Sequence, residues 1–319
     1  MMQPALLLEG VSKRYSGHLA VDDLSLTVPP GTIYGILGPN GAGKSSTLRM
    51  VMNIIVRDGG RIALLGADPA REREVLRRVG YLPEERGLYK KMKVLDVIVF
   101  FAALKGLDER QARRAGQQWI ERMGLGEWTN AKVETLSKGM QQKVQFITTV
   151  LHDPELLILD EPTSGLDPVN QEVLRDTILD ARRRGKTVIF STHNMEQAEQ
   201  LCESVCIIAG GRKVLDGSLR EVRRSNRGAH YAVEFDEQAA AAEAFFRANG
   251  RFHQVTRQGD GWLVELAPGA DARELLARLV ELEVPLTRFE HVQPSLHEIF
   301  VAHVGGATTP HRRPEPAHV

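Results

Sequence analysis

Three scarcities narrow what this chain can be before any motif is considered. It has two cysteines, Cys202 and Cys206, in 319 residues. Two thiols so close together cannot staple a secreted fold, and they suit a reducing compartment. A metal site would need further Cys or His ligands nearby and none are there, so both are expected to be ordinary packed thiols. An excess of charge is the second lack, since 41 Lys and Arg are balanced by 41 Asp and Glu. That balance favours neither nucleic acid nor an anionic membrane surface as a partner. The third is a long apolar run. A bilayer span needs roughly 20 such residues, and the longest candidate, residues 94–107, is broken by Asp96 and Lys105. The start, Met1-Met2-Gln3-Pro4, lacks a basic stretch followed by an apolar one, so no secretion signal is expected. If the protein works at a membrane, a partner must hold it there. His253, His291, His297 and His303 lack metal-ligand spacing, and no internal repeat is visible.

What is present is a globular composition, 42% hydrophobic and 26% charged, in a chain long enough for one domain of about 200–250 residues plus a small second one. Short β-type runs alternate with helical patterns through the first 225 residues, which reads as α/β. Strands are expected at residues 6–8, 24–28, 33–37, 156–159, 188–191 and 205–209. Leu156-Leu157-Ile158-Leu159 has no polar alternation and suits a strand buried on both faces. Asp68-Pro69 and Asp167-Pro168 both read as helix starts, and Asp153-Pro154 as a stop before the next strand. A polar, basic connector at 223–228 is followed by strand patterns at 231–235 and 262–266 and helical ones at 237–248 and 272–282. Residues 305–319, rich in Pro, His, Arg and Thr, read as a disordered tail. The expected division is therefore 1–225, 229–304 and the tail.

The densest chemical signal is Gly38-Pro39-Asn40-Gly41-Ala42-Gly43-Lys44-Ser45, which fits G-x-x-x-x-G-K-[ST] at every fixed position. The strand pattern 33–37 precedes it, and a helical pattern, 46–55, opens with Ser46. Glycines let backbone N–H groups turn inward as a nest for phosphate oxygens at the positive end of the following helix. Lys44 then reaches the β- and γ-phosphates of a nucleotide, and the Ser45 hydroxyl is placed to ligate Mg²⁺. Far along the chain, the apolar run at 156–159 ends in Asp160-Glu161-Pro162. An acid there can hold Mg²⁺ through its water shell, which suits Asp160. Glu161 is placed to polarise an attacking water as general base, a role worth roughly 10²–10⁴-fold in rate. Taken alone, the pair reads better as a solvent-facing strand end; the phosphate loop earlier in the chain reverses that reading. His193 follows the strand pattern at 187–191 and is placed to sense the γ-phosphate, the alternative being a helix-capping or surface histidine.

Over roughly residues 6–222 these features resemble the nucleotide-binding subunit of ABC transporters, and they occur in that family's order. Tyr15, in Lys13-Arg14-Tyr15-Ser16-Gly17, sits where the family stacks an aromatic on adenine, an interaction worth about 1–3 kcal/mol; a packed strand aromatic is the other reading. Leu136-Ser137-Lys138-Gly139-Met140 resembles the signature loop, Asp160-Glu161 the magnesium and base pair, Ser164-Gly165-Leu166-Asp167 the loop linking two subunits' sites, and His193 the switch histidine. The resemblance implies ATP and Mg²⁺ as ligands and ATP hydrolysis as the reaction. It also implies a head-to-tail homodimer with two ATP at the interface, where Ser137 and Gly139 contact a phosphate held by the other copy. The implied partner is a separately encoded integral membrane permease, and the implied location is the cytoplasmic face of the membrane.

Two departures accompany the resemblance. Lys138 and Met140 replace the family's usual Gly and Gln. In Gly80-Tyr81-Leu82-Pro83-Glu84-Glu85-Arg86-Gly87, Glu84 stands at the place of the loop glutamine. Its carboxylate is expected to accept from Mg²⁺-bound water and to couple the metal site to the permease. Residues 84–107, with Met92, Val94, Leu95, Ile98, Val99, Phe100 and Phe101, are expected to supply the docking surface or else helical core. Glu84, Lys138 and the run Pro294-Ser295-Leu296-His297-Glu298-Ile299-Phe300 resemble the prokaryotic ABC-2-type exporter branch, which includes sodium-extrusion and antibiotic-export systems. The implied fold is an α/β P-loop NTPase core with an antiparallel β portion and a helical subdomain, plus a small C-terminal α+β domain. Competing readings are an ABC-type ATPase acting on DNA or ribosomes, a P-loop kinase or GTPase, and an idle regulatory module. Against them stand the missing coiled-coil insertion, second ATPase half, basic footprint and Asn-Lys-x-Asp motif, and the presence of Glu161 and His193.

Overall fold

In the computed structural model of the protein, residues 3–85, 87–226, 228–236, 244–246, 252–258, 261–267, 269–281 and 285–304 are described. They divide into one unit made of the residues up to Leu219 together with His303 and Val304, and a second running from Arg220 to Ala302. The helix expected at 237–248 falls among the described residues only at 244–246, which are helical, and the tail at 305–319 lies outside them.

In the first unit, β1 (Leu6–Tyr15) and β2 (His18–Val28) form a hairpin. Its turn is Ser16-Gly17, both at positive φ, 39° and 90°, a two-residue geometry whose twist matches that of the strands. Leu24, Leu26 and Val28 are buried while Ser25 and Thr27 are exposed, the period of two that a half-covered sheet requires. β3 (Ile33–Leu37) follows, then α1 (Lys44–Val51) and β4 (Gly59–Leu64). β2, β1 and β4 make a three-stranded antiparallel sheet.

A second sheet holds β3 with β5 (Val79–Leu82), β6 (Leu156–Asp160), β7 (Thr187–Thr192), β8 (Ser204–Ala209) and β9 (Arg212–Ser218). Its order is β5-β6-β7-β3-β8-β9, parallel except for β9. β3, β6 and β7 are buried at every residue, as strands covered on both faces must be. The register is what matters for function. Leu37 is level with Thr192, Asp160 with Ser191, and Leu82 with Leu159. The segments leaving β5, β6, β7 and β3 therefore emerge side by side along one edge.

Between β5 and β6 the chain builds α2 (Val94–Leu104), α3 (Glu109–Arg122) and α4 (Lys138–Val150). A Cβ on Gly116 of α3 would stand 3.1 and 3.2 Å from Ile98 and Leu95 of α2, so that glycine permits their close approach. Lys105, just after α2, donates to the carbonyls of Leu76 and Val79 at 2.7 and 2.8 Å. His152 also stands against Val79 O, at 3.3 Å. α5 (Pro168–Arg183) starts as its sequence predicts, with Asp167 accepting from Asn170 N and Pro168 in the first turn. α6 (Met195–Leu201) completes the run, and α7 (Leu219–Ser225) starts at Leu219 and continues into the second unit.

Two expectations change, and three strands of this unit arise where none was expected. Asp68-Pro69 starts no α-helix: the Asp68 carboxylate accepts from Ala70 N at 3.0 Å and from Arg57 at 2.8 Å, but the single turn it opens gives way to a 3-10 stretch, Arg73–Arg78. The helix expected over 46–55 begins at Lys44 and ends at Val51, because Asn53 turns into the left-handed region at φ 51°. β4, β5 and β9 carry no clear apolar run, and their strand character comes from pairing.

The second unit is a four-stranded antiparallel sheet of β10 (His230–Phe235), β11 (Phe252–Gln258), β12 (Gly261–Leu266) and β13 (Leu286–His291), ordered β11-β12-β10-β13. α8 (Ala272–Glu281) and α9 (Leu296–Val304) accompany it. Its core gathers Val233, Phe246, Trp262, Val264, Leu266, Leu275 and Leu279. Phe235 and Phe246 each lie 5.6 Å from the Trp262 ring. Ser295 and Glu298 cap α9 reciprocally: Glu298 N donates to Ser295 Oγ at 3.2 Å and Ser295 N to Glu298 Oε2 at 2.8 Å, a capping box. Among the described residues no helix is long and apolar enough to cross a membrane. Cys202 and Cys206 are buried thiols, both pushed up to about 12 by burial.

Candidate functional site

The loop leaving β3 and the first turn of α1 wrap one side of a cavity of about 490 Å³ lined by Tyr15, His18, Ala20, Asn40, Gly41, Ala42, Gly43, Lys44, Ser45, Ser46, Glu84 and Glu161. Gly43 sits at φ 104°, and a Cβ there would stand 2.4 Å from Ala20 O. A side chain at that position would push the loop off the hairpin. Gly38 and Pro39 lie behind the cavity lining, where their carbonyls accept from Lys44 Nζ at 2.8 and 3.2 Å. The ammonium is also 3.6 Å from Glu161 Oε1. Lys44 is 5% exposed, so its charge acts in a poorly screened setting.

The acids arrive from β6. Asp160 ends the strand fully buried, and Ser191 Oγ of the neighbouring strand donates to its Oδ1. Burial pushes the Asp160 carboxyl above its ordinary value, against the opposing Ser191 and Ser45 hydroxyls. Its Oδ2 is buried with no hydrogen-bond partner. Glu161 adopts φ 46°, a left-handed conformation that a non-glycine residue holds only where its surroundings over-determine it. Here its N–H donates to Ser191 O at 3.0 Å, Thr192 Oγ1 donates to Oε2 at 3.3 Å, and His193 Nδ1 lies 2.9 Å from Oε1. Glu161 is thus held between Lys44 and His193.

The Glu84 loop completes the edge. Glu84 Oε2 is 3.4 Å from Ser45 Oγ, and Gln145 of α4 donates to Pro83 O and Glu85 O at 3.3 and 3.0 Å. The residues present fit a divalent cation: a hydroxyl, an exposed carboxylate beside it, and a buried carboxylate oxygen without a partner. Among the described residues no three His, Cys, Asp or Glu side chains cluster as a direct-ligand cage, so water would supply most of the coordination.

Tyr15 reaches the cavity from the β1–β2 hairpin, its hydroxyl 3.5 Å from Ser46 Oγ and Lys13 Nζ 5.5 Å from its ring centre. It is 39% exposed, which leaves a ring face open for stacking. The cross-strand pairing of Tyr15 with His18 brings His18 to the same wall, a residue that sequence reasoning missed. Its signal is the hairpin turn between them. Ser191 and Thr192 were also missed as supports, because their partners are 31 residues away in sequence.

Ser137 and Gly139 are not among the cavity-lining residues. Ser137 caps α4, accepting from Met140 N at 3.2 Å, and no acidic residue occupies that first turn. A Cβ on Gly139 would be 3.2 Å from Gly165 O, so the 136–140 and 164–167 loops run close together. Ser137 and Lys138 are exposed at this helix start.

Comparison with known proteins gives the following. The ABC transporter family model matches residues 21–164, and the model described as the C-terminal domain of ATP-binding protein DrrA1-3-like proteins matches residues 217–304. The chain is 41% identical over 300 residues to an uncharacterized ABC transporter ATP-binding protein, YhaQ, of Bacillus subtilis, covering 94% of this chain and 98% of that one. It is 33% identical over 296 residues to the Nod factor export ATP-binding protein I of Burkholderia orbicola, covering 92% and 95%. Among solved structures, an ATP-binding subunit of an ABC transporter superposes with a TM-score of 0.65 at 29% identity, over 70% of this chain and 93% of that one. A dimeric ATP-binding cassette in a post-hydrolysis state with ADP and Pi has a TM-score of 0.62 at 22% identity, over 67% and 99%, a likeness of fold.

Proposed function

The chain belongs to the ABC transporter ATP-binding proteins, and from that premise we propose that it powers an exporter by closing and reopening a head-to-tail homodimer on two ATP molecules beneath a separately encoded membrane permease. ATP binding and hydrolysis come with the family. The roles of individual side chains follow from the geometry.

Tyr15 stacks on adenine while the amides of residues 39–45 and the Lys44 ammonium take the phosphates. Ser45, Asp160 and Glu84 would hold Mg²⁺, which would screen the phosphate charge and offset the burial of Asp160. Glu161 accepts the proton of the attacking water, Lys44 and His193 fix the direction of its carboxylate, and His193 answers to the γ-phosphate. The partner copy's α4 N-terminus, with its Ser137 cap and Gly139, covers that phosphate from the other side. What carries the reading is the register: four parallel strands deliver the phosphate loop, Glu84, Asp160, Glu161 and His193 to one edge beside one cavity.

The permease-facing surface narrows to what remains exposed. Val94, Leu95, Ile98 and Val99 are buried within the helical subdomain, while Tyr89, Phe100 and Leu104 are 53%, 37% and 59% exposed. Tyr89, Phe100 and Phe101 form one aromatic cluster, with ring centres 5.3–6.1 Å apart. This patch docks a cytoplasmic segment of the permease and holds the protein at the cytoplasmic face of the membrane. The export direction is supported by the Nod factor export relatives. The test is a mild-detergent pull-down of the tagged chain from its native membranes with mass spectrometry. The expected result is a co-purifying multi-span protein that stimulates ATP hydrolysis. Recovery of ribosomes, DNA-repair proteins or nothing would overturn the transport role and leave the ATPase chemistry standing.

A further inference from the structure

α4 presents Gln142, Gln145 and Thr149 inward, spaced three and four residues apart so that they share one face of the helix. They are 2%, 4% and 3% exposed. A buried amide on a core-facing helix is retained where hydrogen bonds compensate for its lost water. Gln145 Nε2 donates to the carbonyls of Pro83 and Glu85, at 3.3 and 3.0 Å, the two that bracket Glu84. Two carbonyl acceptors fix the orientation of the amide, because only its NH₂ side can face them. The other end, Oε1, is buried without a partner. An amide satisfied on one side only is a poor source of stability, since an apolar side chain of similar volume would leave nothing on α4 unpaired. Its value lies in the loop geometry it imposes. Thr149 Oγ1 adds a contact to Tyr81 O at 3.3 Å, and Gln142 Nε2 reaches Pro162 O, just past the Asp160-Glu161 pair, at 3.4 Å. Glu84 itself is exposed, so the direction of its carboxylate depends on the backbone that carries it.

We propose that Gln145 is the positioning residue for Glu84: by clasping the carbonyls on both sides, it aims the Glu84 carboxylate at Ser45 and ties the metal-facing loop to the helix capped by Ser137. This rests on the reading of Glu84 as a metal-facing group. A displacement of α4 when Ser137 engages a phosphate is then passed to the metal site through one side chain.

The test uses the full-length chain with Gln145→Leu, Gln145→Met as a second variant, Glu84→Gln, and the double substitution. The readouts are equilibrium binding of a fluorescent ATP analogue across a Mg²⁺ titration, the same binding without Mg²⁺, and amide exchange at residues 84–85 in nucleotide-free protein. Gln145→Leu and Glu84→Gln are each expected to raise the half-saturating Mg²⁺ by about 10-fold, as loss of an orienting group behind a metal ligand does. In Gln145→Leu, binding without Mg²⁺ should not change and exchange should quicken, and the double variant should be no worse than Glu84→Gln alone. If Glu84→Gln shifts the Mg²⁺ requirement while Gln145→Leu and Gln145→Met do not, or if the double variant is additive, the positioning role is overturned alone. If Glu84→Gln shifts nothing, the metal-facing reading fails and the proposal with it.

Discussion

The two units of this chain bury different things. Every buried polar or charged residue among those described, from Thr32 through Lys44, Gln142, Gln145, Asp160 and Glu161 to Thr192, belongs to the first unit. The core of the second is Val, Leu, Phe and Trp. Burying a polar group costs free energy that only hydrogen bonds or ligands return, so a fold that does it repeatedly at one sheet edge has a use for that edge. The second unit shows no such expense. Its order comes from aromatic packing and a capped helix.

The contrast can be broken most sharply at the polar edge. Glu161→Gln keeps the shape and removes the base, so hydrolysis should fall roughly 10²–10⁴-fold while ATP binding persists and an ATP-bound dimer accumulates. Phosphate release and light scattering with ATP would show this, and near wild-type turnover would remove Glu161 from the mechanism. In the apolar unit, Trp262→Ala deletes the ring on which Phe235 and Phe246 lean, a loss of about 3–5 kcal/mol. Hydrogen exchange should rise in β10 and β12 and stay unchanged in β3 and β6; equal loosening of both would mean that the two cores are one cooperative block.

An acid titration separates the units more gently. Burial, aided by the Lys105 charge, lowers His152 from 6.5 to about 4. Between those values the unfolded chain binds a proton that the folded chain refuses. His152 therefore supports the first unit fully above about pH 6.5 and loses that support as pH falls toward 4. Urea midpoints at pH 7 and pH 5 should diverge less in His152→Gln than in wild type, and parallel behaviour would dismiss the histidine. The smallest effect concerns truncation. A chain ending at Leu219 keeps every cavity-lining residue, so its affinity for ATP should change by less than about twofold, the margin within which independent sites add. Loss of binding on calorimetry would show that the second unit sustains the first.

Much of this was legible in the residues, for a physical reason. The phosphate loop is contiguous, because one turn of backbone must surround one phosphate, and Asp160-Glu161 is legible because a doubly covered strand announces itself by its apolar run. What stayed hidden depends on pairing. Asp68-Pro69 and Asp167-Pro168 are the same local signal, yet only Asp167 caps an α-helix; Asp68 accepts from Ala70 N and from Arg57 and opens a single turn. His18 reaches the cavity only through the hairpin register, and Ser191 meets Asp160 only because β6 and β7 are level. β9 joins its sheet as an edge strand, half-exposed and without an apolar run.

The strand order has a consequence for how the molecule is made. β3 ends in sheet centre, flanked by β7 and β8, which leave the ribosome about 150 residues later. At synthesis rates of about 5–20 residues per second, that apolar strand waits on the order of ten seconds without either neighbour. The nascent chain must shelter it with what has already emerged, the β1–β2 hairpin and α1. The phosphate loop is thus among the first features translated, and the base and histidine arrive together near the end of the unit. A half-made chain can have the means to grip a nucleotide long before it has the means to consume one.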